Sequence, residues 1–359
     1  MNERQALRSR IEALIHACED GRATNASERD ALIEDLSAWQ SARVPAYGRL
    51  ARRGPLPPAL PTDLFRFLRI AAHPESRDVR RFQSSGTTAA DARSVHAFAE
   101  LDLYDLAARV AAQRMLFRDP RRLRLVILAP RETEAPHSSL SYMLSRFGEW
   151  FGTACSWVWR DDRLDLDALH TALHQASRDG EPCCLLGTSF AFVHAEDGLG
   201  DRRFELPPKS RIMQTGGYKG RSRTLDPAEL RALMTARYGV PEAFIVGEYG
   251  MTELSSQMYE TTLRDALEGK PSPRRLWVPP WVRATPVDPD TLQAVEGDAI
   301  GILRIDDCAN LDSVCCIQTA DLAQRSGDGI VVLGRMAGAT PRGCSLAADQ
   351  VLGRGQHGH

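Results

Sequence analysis

Thr252 and Glu253 close the segment Tyr249-Gly-Met-Thr-Glu253, which follows directly on the apolar run Phe244-Ile-Val-Gly247. Residues just past the C-terminal end of a strand in an open α/β sheet face the ligand crevice. An aromatic ring, a hydroxyl and a carboxylate there suit a base, a phosphate and a metal. Hydroxyls crowd around a glycine in the stretch Ser84, Ser85, Gly86, Thr87, Thr88. The glycine lets the backbone come close and the hydroxyls supply donors, so the segment can wrap a phosphate tail. It lacks the Gly-Lys-Ser/Thr ending of a Walker loop. Gly216 and Gly217, in Gln214-Thr-Gly-Gly217, would let a flat ligand lie against bare backbone. Asp321, in Thr319-Ala-Asp321, can accept from both hydroxyls of a ribose, and Arg335, after Gly334, can add a donor. Each of these pieces alone is equally a polar turn, a packed tyrosine, a tight turn or a surface ion pair. Their order along the chain is what gives them meaning.

Such residues need a frame of strand ends. From about residue 80 onward short apolar runs alternate with helix-patterned segments, the signature of an α/β fold with a largely parallel sheet. Strands are expected at 123–129, 183–187, 211–214, 243–246, 301–305 and 330–333, with helices between them. One helix is sharply bounded: Asp226 caps it, Pro227 sits in the first turn, Leu230, Leu233 and Met234 mark its apolar face, and Gly239 closes it after Tyr238. Val95–Arg109 also carries a helical pattern. The segment from Trp277 to Val282 and the strands after it suggest a small β subdomain. Ile11, Leu14, Ile15, Leu32, Ile33 and Leu36 give the first 75 or so residues a helical pattern, which the proline-rich stretch 53–61 ends. We divide the chain into a helical cap and linker over 1–78, a core over 79–335 and a short C-terminal segment over 336–359.

The composition narrows the partners. With 45 basic and 47 acidic residues and a formal charge of −2, no global field gathers polyanions, so nucleic acid is not an expected partner. A small-molecule or protein partner is expected. No apolar run is long enough to span a bilayer, the N-terminus lacks the pattern of a signal peptide, and a cytoplasmic location is expected. The eight cysteines, at 18, 155, 183, 184, 308, 315, 316 and 344, include two adjacent pairs and no Cys-x-x-Cys, which fits neither a zinc site nor a disulfide framework. All but Cys344 are expected as small core residues.

Taken in order, the four motifs resemble the adenylate-forming enzyme superfamily. The likeness sharpens in Phe82-Gln-Ser-Ser-Gly-Thr-Thr88, Gly187-Thr-Ser-Phe190, Thr215-Gly-Gly-Tyr-Lys-Gly220, Glu248 to Gln257, Pro279-Pro-Trp-Val-Arg283 and Arg342-Gly-Cys-Ser-Leu346. These are similar to the LuxE-type acyl-protein synthetases, which are ligases of long-chain fatty acids to protein. The resemblance covers residues 80–346 and implies mixed or parallel sheets flanked by helices, a small β subdomain and no full C-terminal domain. It also implies roles. Ser84, Ser85, Gly86, Thr87 and Thr88 would hold the ATP phosphates, and Gly216 and Gly217 would flank the adenine with Tyr249 stacked on it. Thr252 would reach the α-phosphate, Glu253 would hold Mg²⁺, and Asp321 and Arg335 would hold the ribose. The reaction implied is activation of a carboxylic acid, a fatty acid by resemblance, as acyl-AMP, with transfer to a protein thiol and delivery to an acyl reductase partner.

The sequence departs from the superfamily in two places. Its serine-rich loop continues as Ala89-Ala-Asp-Ala-Arg93, with no lysine, so Arg93 is the nearest substitute. Larger relatives continue past the Gly-Arg pair with a domain that carries a catalytic lysine, whereas 24 residues follow Arg335 here. Lys219 is the nearest motif lysine. In the LuxE family a cysteine near the C-terminus accepts the acyl group as a thioester, and Cys344 in Arg342-Gly-Cys-Ser-Leu matches it. A neighbouring arginine can lower a thiol pKa. Two rival readings stand beside this one: a ligase that uses coenzyme A or a carrier-protein thiol, and a non-catalytic nucleotide-binding scaffold. An apolar wall for the acid is expected from Ser139–Phe147 and Thr188–Val193, with Phe147, Phe190 and Phe192.

Overall fold

A computed structural model gives the fold and describes residues 2–52, 57–85, 93–119, 121–216 and 225–336. The elements run α1 (Glu3–Glu19), α2 (Ala26–Ser41), α3 (Pro45–Ala51), β1 (Leu60–Pro61), β2 (Arg80–Gln83), β3 (Val95–Phe98), α4 (Asp102–Met115), β4 (Leu123–Leu128), α5 (Ser139–Phe151) and β5 (Gly152–Trp157). A small hairpin, β6 (Trp159–Arg160) and β7 (Arg163–Leu164), leads to α6 (Leu166–Asp179), β8 (Cys183–Thr188), α7 (Ser189–Gly198), β9 (Arg211–Thr215), α8 (Pro227–Tyr238), β10 (Ile245–Tyr249), β11 (Met258–Glu260) and α9 (Thr262–Leu267). Then come β12 (Leu276–Trp277), β13 (Val282–Val287), β14 (Gly301–Asp307), β15 (Cys316–Ser326) and β16 (Gly329–Arg335).

Twelve strands form one mixed sheet in the order β13-β14-β15-β16-β12-β11-β10-β9-β8-β4-β5, with β1 beside β15. The half from β5 to β10 is parallel. Its central strands carry apolar runs, such as Cys183 to Leu186, because helices cover both faces there. Met213 and Val246 point into the core shared with α4 and α5, while Ile212 and Ile245 point into a second core under α6, α7 and α8. The small β part expected after Trp277 is the antiparallel half, joined to the parallel half through β12.

Helix α8 has the expected boundaries. The Asp226 carboxylate accepts from the backbone N–H groups of Ala228 and Glu229, and Gly239 ends the helix in the left-handed region. Other expectations need correction. Val95–Phe98 is a strand, not the start of a helix, because Val-His-Ala-Phe pairs residue by residue with Arg80–Gln83. Strand β10 begins at Ile245 and not at 243, since Pro241 opens a 3-10 turn over Glu242–Phe244. Cys155 is exposed on the edge strand β5, while Cys18, Cys183, Cys184, Cys308, Cys315 and Cys316 are buried. Phe147 and Phe192 lie in cores on opposite faces of the sheet and form no common wall.

The N-terminal helices are helical as expected, and they share the main core. Gln40 of α2 is wholly buried, donates to the carbonyls of Asn310 (2.7 Å) and Leu311 (3.0 Å), and accepts from the N–H of Cys315 (2.8 Å). Arg4 forks onto Asp312 at 2.7 and 2.5 Å. A fully paired buried amide fixes one docking geometry, since any other would leave its donors and acceptors without partners. No helix among the described residues is long and apolar enough to cross a membrane.

Candidate active site at the strand ends

The C-terminal ends of β9 and β10 lie side by side, with Thr215 in register with Glu248, so Gly216 follows β9 next to Tyr249, the last residue of β10, which still pairs with Met258. Gly216 has φ +70°, a conformation that favours glycine, and a Cβ there would meet nothing within 4 Å. The backbone is therefore open to a flat ligand. Gly217 lies outside the described residues, as does Lys219.

Tyr249 is half-buried, and its hydroxyl donates to Asp321 Oδ2 at 2.7 Å. Burial, with the Asp321 carboxylate adding to it, pushes the phenol well above its usual range. Asp321 lies opposite Arg335 across β15 and β16, beside a shift of register between Leu322 and Ala323. Their ion pair is loose, at 3.8 Å, with the Arg335 side chain 69% exposed. The three residues expected around the adenosine thus come together. Arg335 is left with donors facing solvent.

The serine-rich loop leaves β2 at Ser84 and returns at Ser94. The Ser84 N–H donates to the Ser94 carbonyl, and the Ser94 N–H donates to Ser84 Oγ, each at 3.0 Å. This pair of bonds closes the neck of the loop. Gly86, Thr87 and Thr88 lie outside the described residues, Ser85 is described, and Arg93 is exposed at the returning edge. The neck also lies beside the acidic motif, where the Ser94 hydroxyl draws the Glu253 pKa down.

Glu253 is buried, and burial raises its pKa against the opposing pulls of Ser94 and Arg335. A buried carboxyl with so little compensation is a place where a cation would lower the free energy, so the residue fits a magnesium ligand. Thr252 is buried beside it. Its carbonyl accepts from His96 Nδ1 at 2.9 Å, and burial holds the His96 pKa down at about 4, so the ring is neutral over the ordinary pH range. Asn310 donates to the Glu253 carbonyl at 2.9 Å. Asp307 then accepts from the N–H groups of Ser255 (3.0 Å) and Ser256 (2.9 Å), from the Ser256 hydroxyl (2.7 Å) and from the Ala309 N–H (3.0 Å). His96, Ser94, Asn310, Asp307 and Glu248 were not singled out as site residues from the sequence. They act through backbone groups or lie buried, and no motif marks those contacts.

The model of the family described as "Acyl-protein synthetase, LuxE" matches residues 56–353. The chain belongs to the LuxE acyl-protein synthetase family. A long-chain-fatty-acid–luciferin-component ligase of Vibrio harveyi is 24% identical over 313 residues, 82% of this chain and 78% of that one. A ligase of the same description from Aliivibrio fischeri is 22% identical over 205 residues, and the match spans about half of each chain, 54% and 52%. Among solved structures, 2-hydroxyisobutyryl-CoA ligase in its postadenylation state aligns with a TM-score of 0.60 at 13% identity, over 86% of this chain and 68% of that one. That likeness bears on the fold, which is the adenylate-forming one. The synthetase is an acid–thiol ligase that activates its acid with ATP.

Proposed function

We propose that this synthetase converts a fatty acid and ATP into acyl-AMP and pyrophosphate and then transfers the acyl group to the thiol of Cys344, for collection by an acyl reductase. The reading rests most on one observation: the buried Glu253 carboxyl beside Ser94, the residue that closes the neck of the serine-rich loop. Phosphate binding and cation binding need to be that close, since a carboxylate attacking the α-phosphorus concentrates negative charge there. Glu253 would hold Mg²⁺, which would neutralise part of the charge on the phosphates.

The chain's own groups do the rest. Ser84, Ser85, Gly86, Thr87 and Thr88 donate to the phosphate tail. Thr252 donates to the α-phosphate, Gly216 and Gly217 flank the adenine, and Tyr249 covers it. Asp321, oriented by the Tyr249 hydroxyl, accepts from the ribose, and Arg335 turns a free donor to the same sugar. In the first step the acid's oxygen bonds to the α-phosphorus as the bond to pyrophosphate breaks. In the second the Cys344 sulfur, its proton given to solvent, bonds to the acyl carbon as AMP departs. The core over 79–335 carries the first step and the segment 336–359, which lies outside the described residues after Met336, carries the thiol. A fatty acid is favoured by the relative from Vibrio harveyi, whose description names a long-chain fatty acid.

Incubation with ATP, Mg²⁺ and a radiolabelled long-chain fatty acid tests this. The protein should retain hydroxylamine-labile label on the peptide containing Cys344. Cys344→Ser should lose that label yet keep acid-dependent pyrophosphate exchange. Label on another cysteine, or acyl-CoA formed with added coenzyme A while the protein stays unlabelled, would overturn the transfer step.

A further inference from the structure

Glu248 has no part in the reaction as described, yet it is among the most costly side chains in the protein to keep where it is. Its carboxyl is buried on the α4 and α5 side of the sheet and, among the described residues, accepts one hydrogen bond, from the Thr215 hydroxyl across the β9–β10 pair. Gly250 folds back over it so tightly that a Cβ at Gly250 would lie 2.5 Å from Glu248 Oε1. The titratable groups facing it are the phenols of Tyr104 on α4 and Tyr259 on β11. Behind Tyr104 stand Tyr142 and Asp105, bonded to each other at 2.8 Å, and behind Tyr259 stands Cys184. None of these is a cation. Gln257 closes the cluster with a buried amide oxygen that lacks a donor among the described residues.

The placement gives this cluster a task. Thr215 immediately precedes Gly216, and Glu248 immediately precedes Tyr249, so the bond between the two side chains ties together the ends of β9 and β10 that carry them. We propose that Glu248, held by Thr215, is a positioning residue that sets the gap between Gly216 and Tyr249 into which the adenine ring fits. The inference rests on the nucleotide-site reading given above. The Thr215 bond itself favours the ionised carboxyl, but the desolvation cost of burial outweighs it. Burial raises the Glu248 pKa to about 7, with the Thr215 hydroxyl opposing the rise. Ionisation puts an anion among phenols and an amide oxygen, and the group then gains by moving toward water, which loosens the clamp. The proton therefore favours the closed gap. ATP binds more weakly as pH rises through 7.

Calorimetric titration of the full chain with ATP and Mg²⁺ across neutral pH tests this. ATP's own ionisation is common to every variant, so the ratio of wild type to Glu248→Gln isolates the carboxyl. That ratio of affinities should fall by about tenfold between pH 7 and pH 8.5, because an amide does not ionise. Thr215→Val should weaken ATP by several-fold, the usual worth of one hydrogen bond, and Thr215→Ser should restore it. This second pair keeps the test alive if Glu248→Gln fails to fold. Parallel pH profiles for wild type and Glu248→Gln, or wild-type affinity in Thr215→Val, would overturn the role of Glu248 while leaving the nucleotide site standing. Absence of ATP binding by folded wild type at every pH would overturn both.

Discussion

Asp307 and Glu248 are both carboxyl groups shut away from water at or near the end of a strand, yet their surroundings differ. Asp307 receives four donors, three of them backbone N–H groups, and so pins the turn that follows Glu253. Among the described residues Glu248 receives one, from a hydroxyl, in a cluster without a cation. Burial raises the pKa of both, but only Asp307 has a full set of partners to offset it. Four donors make a carboxylate part of the scaffold. One donor leaves a group whose charge state can still change, which is where function is cheaply built.

The largest effect should come from breaking the scaffold side. Asp307→Ala strips the acceptor from four buried donors, among them the Ser256 hydroxyl that receives the Trp281 ring N–H. A loss of more than about 3 kcal/mol follows from typical costs of unmatched buried groups, read as a large fall in Tm. Glu248→Gln should act in the other direction. Its folded pKa is raised, so the stability tied to its proton is present below the ordinary glutamate range and lost as pH rises toward about 7. At pH 5 the variant should melt near wild type, and at pH 8 it should melt higher. Equal melting curves at both pH values would remove the contrast between the two carboxyls.

The pattern of what the sequence revealed follows the same divide. Ser84, Gly216, Tyr249, Glu253, Asp321 and Arg335 are legible because each sits in a short motif whose residue types suit a ligand. Helix α8 is legible from its cap, proline and closing glycine, all local signals. Asp307 and His96 are not, because their partners are backbone groups of Ser255, Ser256 and Thr252, and any residue type supplies those. The strand at Val95 is not legible either, because an apolar spacing over four residues fits either period, and pairing with β2 decides it. Gln40 acts across 270 residues of chain, a contact no local pattern announces.

Smaller effects sharpen the site itself. Asp321→Ala removes the proposed acceptor for the ribose and also the partner of the Tyr249 hydroxyl, and should weaken ATP by about 1.5–3 kcal/mol in calorimetry. An unchanged affinity would return Asp321 to a purely structural pair. Arg335→Ala should change stability by less than about 1 kcal/mol, since its ion pair is long and exposed, so a large drop in Tm would mean the residue is part of the scaffold.

Acid-dependent exchange of label between pyrophosphate and ATP, run side by side on wild type and Glu253→Gln, tests the central claim most directly. A neutral amide cannot balance a bound divalent cation. The account predicts exchange in wild type with a long-chain fatty acid and Mg²⁺, and a loss of about a hundredfold or more in Glu253→Gln with the fold intact by circular dichroism. Equal exchange in the two proteins would contradict the assignment of Glu253, and no exchange by wild type with any acid of a broad panel would contradict adenylation itself.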